Sequence, residues 1–120
     1  MTSKYFTEAE VACKCGCGTT IIQPDLVTKL DELRETLGRP VAVNSWTRCL
    51  KNNAAQEQSV EKSAHTTGYA VDISATTGAE KFHIMRVALA LGFKRVGVGK
   101  TFVHLDIDPE KPQGVVWTYA

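Results

Sequence analysis

Residues 69–75 read YAVDISA and alternate as a β-strand does. Val71 and Ile73 take one side, and Ala70, Asp72 and Ser74 take the other. A carboxylate inside an apolar strand is costly unless it is paired, so Asp72 needs a partner. The same kind of pattern recurs in FVHLDID at 102–108. There Val103, Leu105 and Ile107 share one face, while Phe102, His104, Asp106 and Asp108 share the other. His65 lies in the loop before the first strand. If the two strands belong to one sheet, His65, Asp72 and His104 can meet at one point.

The surrounding elements are legible from periodicity and caps. Thr7 and Glu10 form a T-x-x-E capping box for a short first helix, with Phe6 and Val11 as its hydrophobic staple. A second helix begins at Pro24 and carries Leu26, Leu30, Leu33 and Leu37 on one stripe. Gly38 ends it, with Pro40 just beyond. VAVNSW, 41–46, reads as a strand, and 47–64 as mostly loop. Thr77 and Glu80 cap a third helix, whose expected apolar face is Phe82, Met85 and Leu89, with Gly92 closing it. RVGVGKTFVHLDID reads as a hairpin turning at Gly99–Lys100. A last strand, 114–119, is expected beside it. Helices among hairpin-linked strands predict an α+β fold, a central antiparallel sheet with helices packed on one side. A chain of 120 residues is expected to form a single domain, 1–120.

Two neutral imidazoles and one carboxylate are a usual ligand set for a catalytic zinc with an open fourth position. Such an ion acidifies a bound water and polarises a carbonyl. A lone histidine is more often a surface or satisfied core residue. Two of the three histidines beside the two strand aspartates are less ordinary. His83, the third, falls in a helix and is read as solvent-facing.

Composition narrows the field. Hydrophobic content is 43%, charged content 22% and net charge +1. That is ordinary globular material, without the basic run that nucleic-acid binding calls for. No apolar run has the length of a membrane span, so no membrane insertion is expected. The N-terminus lacks the apolar core of a secretory signal. The expectation is cytoplasmic synthesis with later release, or secretion if a signal has been removed. Cys13, Cys15 and Cys17 alternate in CKCGCG, and Cys49 stands apart. They read as reduced thiols, a disulfide to Cys49, or the ligands of a second, structural ion, the last being the less expected since no CxxC is present.

The motif S-x-H-x-x-G-x-A-x-D, seen as Ser63, His65, Gly68, Ala70 and Asp72, resembles the zinc peptidases that cut peptidoglycan stem peptides. This is the D-alanyl-D-alanine carboxypeptidase and murein endopeptidase family, which shares its fold with the hedgehog signalling domain. FVHLD at 102–106 resembles the second ligand motif of its small C-terminal-type branch. VNSWTRC at 43–49 resembles the strand and arginine segment upstream. FTEAEVACKCGCG is similar to the N-terminal segment of phage and prophage members.

The resemblance implies that His65, Asp72 and His104 bind one zinc ion. It implies that Arg48 holds a substrate carboxylate or the oxyanion, with Ser63 beside the ligand loop. Tyr69 and Trp117 are candidates for lining a substrate groove. Many relatives carry an acid or a histidine just before the last zinc histidine, where this chain has Thr101 and Phe102. The general base therefore does not carry over. Asp106 is the best local candidate, as base or as the group orienting a zinc histidine, with Glu57 and Glu61 weaker. The expected activity is hydrolysis of peptidoglycan peptides by a monomeric lysin, endopeptidase rather than strict carboxypeptidase. The rivals are a zinc-containing cell-wall or protein-binding module that does not cut, and a metal-stabilised phage structural protein.

Overall fold

A computed structural model describes residues 3–12, 22–46, 65 and 68–119. In chain order the elements are α1 (Glu8–Val11), α2 (Pro24–Leu37), β1 (Val43–Ser45), β2 (Ala70–Ser74), α3 (Gly78–Ala90), β3 (Arg95–Val98), β4 (Phe102–Asp106) and β5 (Val115–Thr118). The strands form one sheet in the order β1-β2-β4-β3-β5.

The expected α+β architecture is present, but the sheet is mixed. β1–β2, β2–β4 and β4–β3 are antiparallel, whereas β5 runs parallel to β3. After β4 the chain passes the start of β3 and joins its far edge in the same direction. Backbone N–H groups of Gly114 and Val115 both donate to the Lys94 carbonyl, at 2.7 and 3.0 Å, which begins that pairing.

α2 forms where its signals place it. Pro24 opens it, and Gly38 ends it in the left-handed region at φ 69°, its N–H donating to the Arg34 carbonyl at 3.1 Å. Leu26, Val27, Leu30 and Leu33 are buried. In α3 the Thr77 hydroxyl accepts the Glu80 N–H at 3.1 Å and contacts the Glu80 carboxylate at 3.3 Å, a variant of the expected box. Its C-terminus is a Schellman motif: Phe93 N–H donates to Ala88 and Gly92 N–H to Leu89, with Gly92 at φ 94°.

The buried face of α3 differs from expectation. Ile84, Val87 and Ala88 face the core and Met85, of the expected face, packs half-buried against it, while Phe82 is 61% and Leu89 56% exposed. Both sets fit helical spacing, and only the packing partner selects between them. The hairpin turn also shifts by one residue. Val98 pairs with Val103, and the Gly99 N–H donates to the Phe102 carbonyl at 2.9 Å, so Lys100 and Thr101 form the two-residue loop. Gly99 is not in a left-handed conformation; a Cβ there would overlap the Phe102 ring.

One core joins these parts. Val71, Ile73, Val96, Val103 and Leu105 from the sheet pack with the buried residues of α2 and α3, and with Phe6, Val11 and Trp46. Phe6 meets Trp46 edge-on, with ring centres 5.2 Å apart. The opposite side of β2 and β4 carries the polar groups.

Candidate metal centre

The register of β2 against β4 sets Asp72 directly opposite His104. Side chains opposite one another in an antiparallel pair share a face, so the carboxylate and the imidazole meet without any loop rearrangement. The Asp72 Oδ1 lies 2.9 Å from His104 Nδ1. His65 Nε2 is 3.2 Å from each of these two atoms. All three residues are buried, with 1% exposure at His65 and 6% at the other two.

Three features bring His65 in. Gly68 turns the chain in a left-handed conformation, φ 81°, that a side chain would strain. Its carbonyl accepts the Gln23 N–H at 3.0 Å, tying the turn to the start of α2. The ring itself is held from β1: His65 Nδ1 lies 2.7 Å from the carbonyl of Trp46, the residue after that strand.

The second ring nitrogens define the chemistry. A carbonyl only accepts, so His65 carries its proton on Nδ1 and presents an Nε2 lone pair to the cluster. His104 Nε2 lies 2.7 Å from Asp106 Oδ2. An ionised carboxylate also only accepts, so Nε2 donates there and Nδ1 presents its lone pair. Two imine nitrogens and a carboxylate oxygen then face one another, all within 4.8 Å. Three electron-rich atoms at this separation need a cation or a proton between them. Among the described residues this is the one such group able to hold a metal ion. The donor set fits a borderline divalent cation such as zinc.

Without a metal, protonation takes over. Burial opposes the charge on Asp72, yet hydrogen bonds from His104 and His65 hold its carboxyl well below the ordinary 3.8. Burial opposes an imidazolium at His104, but Asp106 and Asp72 raise it above the ordinary 6.5. Burial also opposes the Asp106 charge, while His104, Arg95 and the Asp108 N–H lower its carboxyl below 3.8.

Asp106 is fully engaged. One oxygen accepts from His104; the other accepts from Arg95 Nε at 2.6 Å and from the Asp108 N–H at 3.2 Å. Of the two roles the sequence leaves open for it, this geometry supplies orientation of His104. Trp117 stands beside His104, ring centres 5.4 Å apart, and Tyr119 beside Phe102 at 5.1 Å. Gly97, paired with both His104 and Trp117, leaves room for the indole: a Cβ there would lie 2.6 Å from Trp117 Nε1. Tyr69 precedes β2, half-buried, and pairs onward through its carbonyl to the Ile107 N–H. The pleat puts it in phase with Val71 and Ile73, on the side away from Asp72. His83 is exposed. Arg48, Ser63, Cys13, Cys15, Cys17, Cys49, Glu57 and Glu61 lie outside the described residues. Arg95 was not singled out from sequence, although its pairing with Asp106 follows once the hairpin turn is placed correctly.

A mixed α+β sheet with a buried His–Asp–His cluster on its polar face defines a candidate mononuclear metal protein. The model of the Peptidase M15 family matches residues 4–106, which include all three ligand candidates, and the chain belongs to that peptidase family. No curated protein matches the chain. Among the described residues no helix is long and apolar enough to cross a membrane.

Proposed function

We propose that this chain is a zinc-dependent peptidase that hydrolyses peptide bonds in peptidoglycan stem peptides or cross-links, acting as a cell-wall lysin. The observation that carries the reading is the convergence of His65 Nε2, Asp72 Oδ1 and His104 Nδ1, with both other ring nitrogens already committed to acceptors. An ion held by these three atoms would polarise a scissile carbonyl and acidify a water. The chain's own part is orientation. The Trp46 carbonyl fixes the tautomer of His65, and Asp106 fixes that of His104. The hydrogen bonds of Asp106 favour the orienting role over that of base, with Glu57 and Glu61 as the weaker base candidates. Arg48 is assigned to the substrate carboxylate or the developing oxyanion.

The test is digestion of purified peptidoglycan and cross-linked muropeptides, with products identified by mass spectrometry. Loss of cross-linked species is expected with wild type, and none with His65→Ala or after chelation. Equal digestion by all three refutes the zinc mechanism. A second reading is a metal-containing wall-binding module without hydrolysis. Its support is the engagement of Asp106 together with Thr101 and Phe102 where relatives carry an acid or histidine. Muropeptide binding with unchanged masses would establish it.

A further inference from the structure

Arg95 opens β3 directly opposite Asp106, and its side chain is 11% exposed. It makes three contacts, each to a different element. Nε donates to Asp106 Oδ1 at 2.6 Å, on β4. Nη1 donates to the Pro112 carbonyl at 2.7 Å, in the crossover between β4 and β5. The guanidinium carbon lies 4.9 Å from the ring centre of Trp117, on β5. Two of the groups it touches, Asp106 and Trp117, also touch His104.

The bond to Asp106 has a specific consequence. A carboxylate alone can rotate and offer either oxygen to a histidine. Here Oδ1 is held by two donors, Arg95 Nε and the Asp108 N–H. Only Oδ2 is left for the His104 Nε2–H, and the carboxylate plane is fixed. Fixing that plane fixes the imidazole, because the ring turns to keep its N–H on Oδ2 while the indole stands beside it. The direction of the Nδ1 lone pair follows. A guanidinium suits this role better than an ammonium, since its planar fork bonds two acceptors and still packs on an aromatic face.

We propose that Arg95 is a positioning residue of the metal centre, locking Asp106 and the Trp117 indole against His104 so that Nδ1 stays aimed at the site shared with His65 and Asp72. The inference rests on the metal reading above. It differs from a purely structural ion pair, which would support the hairpin without affecting the ion.

The test is made on metal-free protein, with zinc affinity measured by chelator competition and geometry by the visible absorption of bound Co²⁺. Arg95→Met is expected to weaken zinc binding by about 10–100-fold, the usual effect of removing a partner that orients a metal ligand, and to change the Co²⁺ spectrum. In an Asp106→Asn background the same substitution is expected to weaken binding less than about twofold, because Arg95 acts largely through Asp106. If Arg95→Met lowers thermal stability but leaves zinc affinity and the Co²⁺ spectrum unchanged, the proposal is wrong. The same holds if its effect is as large in the Asp106→Asn background. Should Arg95→Met fail to fold, Arg95→Lys keeps the charge and loses the planar fork. Weakened zinc binding with an altered spectrum in that variant supports the proposal, and wild-type affinity and spectrum overturn it. Wild-type protein that binds neither ion overturns the metal reading itself, an outcome separate from wild type and Arg95→Met binding equally well.

Discussion

A metal ion entering this candidate centre would have to displace a proton, and the cluster gives the number. His65 Nδ1 and His104 Nε2 keep their protons on Trp46 and Asp106 with or without an ion. The three inward atoms, 2.9–3.2 Å apart, are all acceptors when both rings are neutral. In the metal-free protein one proton fills the gap, held on His104 Nδ1 and shared with Asp72. Although burial opposes the charge, the hydrogen bonds to Asp106 and then Asp72 raise His104 above its ordinary 6.5. Zinc binding at about pH 6 should therefore release about one proton, and apparent affinity should rise about tenfold, or ~1.4 kcal/mol, per pH unit below the raised His104 value. Calorimetry in two buffers of different ionisation enthalpy reads the proton count directly. Stability follows the same signs. The His104 contribution to the metal-free fold is complete below 6.5 and lost as pH rises through the raised value. Those of Asp72 and Asp106 are complete above 3.8 and lost as pH falls through their lowered values. The metal-free protein is then best stabilised by this cluster between 3.8 and 6.5, and the gain from zinc grows with pH up to the raised His104 value. Binding near pH 6 without proton release, or an affinity flat across pH 5 to 7, would refute the reasoning.

Three further substitutions test the sheet and the core. Gly97→Ala puts a Cβ 2.6–2.9 Å from Trp117 and Tyr119 in a backbone conformation that alanine accepts. Overpacking should lower stability by about 1–3 kcal/mol in urea unfolding, and by much less in a Trp117→Ala background. An equal loss in both backgrounds would show that the indole is not the obstacle. Leu30→Ala, fully buried in α2, should lose ~2–5 kcal/mol, while Phe82→Ala on the exposed side of α3 should stay within ~0.5 kcal/mol. The reverse order would contradict the α3 packing described above.

The sequence carried the α2 stripe, the caps of α2 and α3, and the faces of β2 and β4, because each is set by local rules acting over a few residues. What it misplaced depends on distant partners. Phe82 and Leu89 form as good a helical stripe as Ile84 and Val87, and only packing against α2 and β4 decides between them. β5 was expected beside the hairpin, but its direction follows from where residues 107–114 cross, which no local pattern encodes. The turn is the instructive case. Glycine at 99 suits a type II′ turn by conformation, yet here it is required by the Phe102 ring. Placing the loop at Gly99–Lys100 pairs Arg95 with His104, whereas the loop at Lys100–Thr101 pairs it with Asp106. A shift of one residue in the turn thus conceals the Arg95–Asp106 pair beside the candidate metal centre, while leaving His104 and Asp106 on the correct face.

The same geometry explains how a small fold holds its three ligand candidates in place. Asp72 and His104 are aligned by strand register, and a slip of one residue in β4 would turn His104 into the core and Val103 and Leu105 out of it. Both valine and leucine are fully buried, so the apolar side of the sheet enforces the register that the polar side needs. His65 has no such guarantee, since it precedes β2 and belongs to no strand. Its orientation comes from the Trp46 carbonyl, and Trp46 is itself anchored in the core against Phe6. β1, a three-residue edge strand, therefore has a part in the site beyond covering β2: it delivers the acceptor that chooses the His65 tautomer. Core packing is in this way converted into lone-pair direction at all three ligand candidates, through register for two and through a single backbone carbonyl for the third.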